Sequence, residues 1–562
     1  MKLTLPKQLF LILSIIVGLA FLFTSYIPNI YEAKTVKLLP PDRKMIVGEH
    51  MYTYDYNVYL SKIRQGMEGR WTVVDNYDNN PESSGVFLQM LYLLSGKIGG
   101  IFALSPGLTF HLLRTVASIA WVITIIFLSF YFLKKPLLAF IGVLLSLFAA
   151  SWPVFYTYQG TTWVGMFMSW WQELDVLKRI SYIPHYTVNY IITAVFAVFL
   201  VAYAKKSDRK IFLAICFLLF FSFFIHPSAG LLFLISWTLF HVINFFGFKA
   251  YSKNRVIFIA YHSVLLFLIV AIPLLYFQYV TSDYPWKSLI DFDKLYRYPV
   301  NVKDYILALG PVFFTGILGA LLVLWKKDSR LLSLVTWFAG AFLAILAFKK
   351  FPFQSELRFV QTVNHVPLAI LSVYLFSQIL LFCRERFKTV PYFFIKFIII
   401  ITVIIVISIG LVQSYFSIKA QTDFIHQRIV AALPLVPYPP QVMYPLKDLY
   451  EIMSWLDKKT KNEEVVLSHI YTGNYIPAYS GNFVYLGHNP ETPHYEERVK
   501  KLELFYSGTL SSADAKKFLK EERISYVVYG PQEWEKSTNG IKQYSFLTPI
   551  FSLSYATLYK VQ

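Results

Sequence analysis

The feature that most constrains this chain is the run FIKFIIIITVIIVISIGLVQ at residues 394–413, twenty positions with a single charge. At 1.5 Å per residue, such a helix matches the ~30 Å hydrocarbon core of a bilayer. Runs of the same kind recur, as in LLFLISWTLFHVINFF at 231–246. Of 562 residues, 56% are hydrophobic and 15% charged, and the mean hydropathy is +0.50. Soluble domains average about 45–50% apolar and about 25% charged residues. A soluble enzyme, a disordered chain and a small secreted scaffold are thereby excluded. The sequence reads as a polytopic α-helical membrane protein.

The net charge of +19 would on a soluble protein raise nucleic acid as a partner, but its placement argues for none. Residues 441–562 hold 14 basic and 14 acidic residues, and residues 1–440 hold 38 and 19. The surplus falls in short clusters between apolar runs, as in loops retained on the cytoplasmic side. Cys216 and Cys383 lie in or beside apolar segments and support no disulfide framework.

Eleven spans are expected, near 8–29, 108–133, 137–158, 187–204, 211–226, 228–248, 256–279, 305–325, 331–348, 360–383 and 391–416. Basic clusters at 134–135, 205–210, 249–255, 326–330 and 384–388 occupy every second connection. Residues 85–105 are also apolar, but as a span they would turn all five clusters outward. Five concordant clusters outweigh one segment that carries Lys97 and four glycines. That segment is therefore expected as a helix lying at the interface. The resulting topology is a multi-pass plasma-membrane protein with a cytoplasmic N-terminus, a transmembrane domain over 1–417 and a Pro-rich linker at 418–445. A soluble extracytoplasmic α/β domain follows at 446–562. Its first outer loop, with juxtamembrane helices, spans 31–106; further outer loops lie at 159–186 and 280–304. In the tail, EVVLS, FVYLG and ISYVVYG read as strands. DLYEIMSWLDKK, HYEERVKKLELFYS and SADAKKFLKEE read as amphipathic helices, giving a mostly parallel sheet.

Sorted by side, the ionisable residues gather at the outer face. Charge near a span is tolerated where it faces protein or a water-filled cavity, so loops contributing many such groups point to a polar cleft. Asp55 opens a helix-like stretch in which Tyr59 and Lys62 follow at helical spacing. A carboxylate there can serve as general base on an acceptor hydroxyl, or can be an N-terminal helix carboxylate in solvent.

An acidic residue soon after the first span, then Tyr, then GRW, then a semi-apolar helix ending in LSPGLTFHLLRTVAS, resembles the GT-C superfamily of membrane glycosyltransferases. Protein O-mannosyltransferases and the aminoarabinose and oligosaccharyl transferases share this plan, and the likeness is strongest over 49–118. The resemblance implies about eleven transmembrane helices and transfer of a sugar from a polyprenyl-phosphate-linked donor to a glycan, lipid or protein acceptor. It also implies an extracytoplasmic site, inversion, and a first-loop aspartate as catalytic base, which carries over to Asp55. Asp78 and Glu82 are the competing first-loop carboxylates and, with Tyr59, substrate-orienting candidates.

Glu173-x-Asp175 is similar to the paired acids that oligosaccharyl transferases place beside a divalent cation (Mg or Mn). It fits equally an acidic helix face balanced by Lys178 and Arg179. His185 after Pro184, His226 before Pro227, and His365 are candidates to orient substrate or to close helix ends. Arg358 and Arg114 are the candidate ligands of a donor phosphate, since guanidinium meets phosphate with a bidentate fork. Pairing of Arg358 with Glu356 is the alternative. In the tail, TGN at 472–474 is expected near a strand–helix junction. Tyr471, Tyr475, Tyr479 and Tyr485 are available either to stack on sugars or to pack the domain. A transporter or flippase, and a polysaccharide polymerase or ligase of the cell envelope, are the rival functions. Transport is disfavoured because the charges sit at one face and no inverted repeat is visible.

Overall fold

The computed structural model describes residues 6–206, 208–351, 355–386, 390–430, 444–537 and 540–562. Among them, eight helices are long and apolar enough to cross a membrane, or nine if one bent pair is a single span. The protein is embedded in a membrane. Each of the eleven expected runs coincides with apolar helix, but not all reach spanning length. Arg209–Ile225 has 17 residues. The expected span 305–325 is the pair Val302–Leu309 and Pro311–Lys326, bent by 92°. Gly310 makes the bend with φ +69, and a Cβ there would lie 1.8 Å from the Ala150 carbonyl oxygen. No other residue fits so close a backbone.

The span expected at 137–158 requires correction. The helix Pro136–Phe148 has 13 residues and is followed by an antiparallel hairpin of β1 (Pro153–Tyr158) and β2 (Thr161–Met166). Gln159 and Gly160 both take positive φ, 48° and 73°, the two-residue turn that matches strand twist. Arg179 explains the helix end: it donates to the carbonyls of Leu147 and Ala149, which have no partner inside the helix. The segment at 85–105 forms Met90–Ile101, about 18 Å long and too short to cross. The last apolar helix continues to Val430, into the stretch read as a linker. The remainder of that linker, at 431–443, lies outside the described residues.

The chain divides into two compact units. One comprises Met1–Pro28, Arg114–Leu274 and Tyr298–Ala420; the other comprises Asn29–Leu113, Leu275–Arg297 and Gln421–Gln562. The long first loop thus folds with the C-terminal tail, not with the apolar helices.

In this second unit the three expected strands appear as β3 (Val465–Leu467), β4 (Phe483–Val484) and β5 (Ile524–Tyr529), mutually parallel. Two further strands, β6 (Leu547–Ser552) and β7 (Thr557–Val561), extend the sheet antiparallel in the order β4-β3-β5-β7-β6. Pro549 is tolerated because β6 is the edge strand and its register is irregular there. Side chains alternate between faces. Val465 and Leu467 pack with Leu502, Phe505 and Phe518, while Val466 and Val528 pack with Leu449, Ile452 and Leu456. The helices Lys447–Lys459, Tyr495–Tyr506 and Ser512–Glu521 follow the expected amphipathic segments.

The first loop contributes the helix Thr53–Met67, which crosses Met90–Ile101 at Gly66 and Gly96. A Cβ on Gly66 would fall 2.0 Å from the Leu93 carbonyl oxygen, and one on Gly96 1.9 Å from that of Ile63. This contact sets how the first-loop helix lies.

Candidate active site

Asp55 occupies the first turn of Thr53–Met67, where the positive end of the helix dipole favours a carboxylate. Its Oδ1 accepts a hydrogen bond from His488 Nε2 at 3.1 Å, and its side chain stays 51% exposed. His488 is buried and its ring lies 4.5 Å from that of Tyr54. Donation from Nε2 leaves Nδ1 as the acceptor nitrogen, which has no hydrogen-bond partner among the described residues. The Asn489 backbone N–H donates to the Tyr54 hydroxyl at 2.7 Å, and burial pushes that phenol well above its ordinary range. The residues flanking Asp55 are thus tied to the loop that follows β4.

The base of the same helix is fixed by polar contacts with the tail. Asn474 Nδ2 donates to the Tyr54 carbonyl at 3.1 Å, and its Oδ1 accepts from Asn57 at 2.8 Å. Lys62 is fully buried and pairs with Glu491 at 2.9 Å, which also accepts from Gln89. The TGN stretch therefore lies inside the helix Ile470–Tyr479 rather than at a strand–helix junction, and Asn474 serves as an anchor. Tyr471, Tyr475 and Tyr485 are buried in the α/β core and have no face free for a sugar. Tyr479 is partly buried against that core.

The other first-loop candidates have different surroundings. Tyr59 stacks on Tyr92 with ring centres 4.4 Å apart. Asp78 accepts from Arg498 at 2.7 Å, and Glu82, 79% exposed, lies 3.2 Å from Arg523. These two carboxylates join the first loop to the tail.

In the unit of apolar helices, a separate polar cluster brings together Glu173, His185, His226 and Arg358. His226 closes the end of Arg209–Ile225 and precedes Pro227–Val242. Gln361 bridges it to Glu173: Gln361 Nε2 donates to Glu173 Oε1 at 3.0 Å, and Gln361 Oε1 accepts from His226 Nε2 at 3.2 Å. His226 Nδ1 then accepts from the Ser228 hydroxyl at 2.6 Å. The His185 ring lies 5.9 Å from that of His226 and 4.2 Å from Tyr186. Arg358, in the 3₁₀ turn Glu356–Thr362, donates to the Tyr186 hydroxyl at 3.4 Å. Burial pushes the Glu173 carboxyl up to about 7, against the pull of Gln361 and the charges of Arg358 and Lys178. Glu356 accepts from the Val300 backbone N–H at 3.2 Å.

The remaining three candidates make other contacts. His365 is fully buried and donates from Nε2 to the Ala308 carbonyl at 3.3 Å. Arg114 is buried with its guanidinium 5.2 Å from the Tyr26 ring centre. Asp175 Oδ1 accepts from the backbone N–H groups of Leu177 and Lys178, so it shapes a turn. Glu173 and Asp175 engage different partners, and among the described residues no group of three or more His, Cys, Asp or Glu is placed to hold a metal ion.

No protein-family model and no curated protein matches this sequence. Solved structures do match. Archaeal oligosaccharyltransferase AglB from Archaeoglobus fulgidus, in complex with an inhibitory peptide and a dolichol-phosphate, is similar at 12% identity and TM-score 0.51, over 92% of this chain and 70% of that one. Arabinofuranosyltransferase AftD from Mycobacteria is similar at 10% identity and TM-score 0.51, over 99% of this chain and 42% of that one. ArnT from Cupriavidus metallidurans, bound to undecaprenyl phosphate, is similar at 11% identity and TM-score 0.49, over 98% and 97%. The fold is that of a polytopic membrane protein carrying a C-terminal α/β domain. More particularly, it is the GT-C fold.

Proposed function

We propose that this chain is a glycosyltransferase that moves a sugar from a polyprenyl-phosphate-linked donor to an acceptor hydroxyl on the extracytoplasmic side, with inversion. The observation that carries this reading is the half-exposed Asp55 carboxylate, held by a buried histidine at the start of a helix, on a GT-C fold. A lone surface carboxylate needs no such support; a general base does, because proton transfer depends on hydrogen-bond geometry. Lys134 and Lys135 after the second long apolar helix, and the basic cluster at 384–388 before the last one, support a cytoplasmic N-terminus and an outer position for the first loop and tail. The lipid phosphate of the AglB complex supports a lipid-phosphate donor.

In this mechanism Asp55 removes the acceptor hydroxyl proton as the oxygen attacks the anomeric carbon. The bond from that carbon to the lipid phosphate breaks, and the phosphate leaves with the electron pair. His488 positions Asp55 by donating to one carboxylate oxygen, leaving the other for the acceptor. Within the unit of apolar helices, Arg358 and Arg114 are the residues proposed to meet the charge that develops on the phosphate, where fixed donors have most effect. His185 and His226, aligned through Tyr186 and Gln361, orient the sugar.

The test is transfer of labelled sugar in proteoliposomes loaded with polyprenyl-phosphate sugars. Formation of a new glycosidic bond with release of lipid phosphate is expected. Movement of intact lipid-linked sugar across the bilayer, with no such bond formed, would make the protein a flippase.

A further inference from the structure

A hollow of about 230 Å³ lies between the helix Lys287–Leu295, with its flanking residues, and the segment Asn489–Glu497. The rings of Tyr284, Phe292, Tyr296 and Tyr495 line it. So do the carboxylates of Asp291, Glu496 and Glu497, and no Lys or Arg belongs to the lining among the described residues. The Tyr284 hydroxyl donates to Asp291 at 2.9 Å, and the Tyr284 ring lies 4.3 Å from His494, so one wall is already fixed.

Asn489 connects this hollow with the proposed base. It lines the hollow, its backbone N–H donates to Tyr54, and its neighbour His488 donates to Asp55. One residue on each chain segment separates the two places.

The chemistry of the lining selects its ligand. Aromatic faces cover the C–H surface of a sugar ring, and carboxylates and amides accept its hydroxyl protons. The volume falls below the roughly 300–1,000 Å³ of drug-sized sites and suits a single ring. These three carboxylates outweigh Lys287, whose ammonium lies 5.2 Å from the Tyr284 ring centre, and so disfavour phosphate, sulfate and uronate. We infer that the hollow is an acceptor subsite for one uncharged or amino-substituted sugar ring of a glycan, presented with a hydroxyl toward Asp55. This inference rests on the reading of Asp55 as the base.

Saturation-transfer NMR on the solubilised full chain tests it, with methyl glycosides of mannose, glucose, galactose and glucosamine as probes and a methyl galacturonide as the anionic comparison. Saturation of at least one uncharged or amino glycoside is expected, reduced fivefold or more by Tyr284→Ala and by Tyr296→Ala. Tyr296 is half-exposed, so its loss leaves the fold intact. No saturation by any glycoside, saturation unchanged in both variants, or equal saturation by the galacturonide would each overturn the subsite. Transfer by Asp55→Asn is measured alongside. If that variant keeps transferring sugar while Tyr296→Ala loses saturation, the base assignment falls and the sugar site stands.

Discussion

His488 and Asp55 are 433 residues apart in the chain, and 3.1 Å separates the imidazole nitrogen from the carboxylate oxygen. Because His488 acts through Asp55, its replacement should lower kcat with little change in either KM. His488→Ala should cost roughly ten- to a hundredfold, below the roughly 10²–10⁴-fold that a general base supplies. His488→Gln, which restores an N–H donor, should recover part of the loss. A purely structural role would instead lower protein yield and thermal stability with kcat per folded molecule unchanged.

Arg358 should show itself in donor binding. Arg358→Lys keeps the charge but loses the planar fork, so donor KM should rise roughly tenfold. Arg358→Ala should fall further in both KM and kcat. Steady-state kinetics at varied donor concentration separates the two.

Glu173 carries a pH signature. Its carboxyl titrates near 7 in the fold against 4.5 as the ordinary value. Between those values the unfolded chain is ionised while the folded group keeps its proton, so folding takes up a proton and stability falls as pH rises. The contribution is on the order of 3 kcal/mol, fully present below about pH 4.5 and lost above about pH 7. Unfolding midpoints across pH 5 to 8 should decline in wild type, and Glu173→Gln should flatten that decline.

Lys62 and Glu491 form an ion pair with side chains 0% and 1% exposed. Removing one partner strands a buried charge, at a cost of about 3–5 kcal/mol. Lys62→Met should therefore lower the unfolding midpoint by roughly 10 °C, and Lys62→Met with Glu491→Leu should recover most of it.

Much of this architecture is legible in the residues, because a bilayer demands apolar runs of fixed length and each run maps to a helix. The exception at 137–158 was legible too: VFYTY and TTWVG flank Gln159-Gly160, a strand–turn–strand pattern hidden by its own hydrophobicity. Within the tail, the three central strands are short apolar runs. The hairpin β6–β7 is less apolar and is held by pairing with β5. Asp55 was accessible from its place after the first span. His488 was not, since nothing local links a histidine in a turn to a helix over four hundred residues earlier. The one available signal was its place beyond the carboxyl ends of parallel strands, where α/β sheets gather ligand-facing residues. The grouping of Asn29–Leu113 with the tail was equally hidden, because it depends on long-range pairs such as Asn57 with Asn474 and Arg498 with Asp78.

Whether Asp55 is the base is decided by single-turnover transfer of labelled sugar from a polyprenyl-phosphate donor, comparing wild type with Asp55→Asn at matched donor occupancy. The expected rate is at least a hundredfold lower, with donor affinity unchanged. A rate equal to wild type in the folded variant would contradict it.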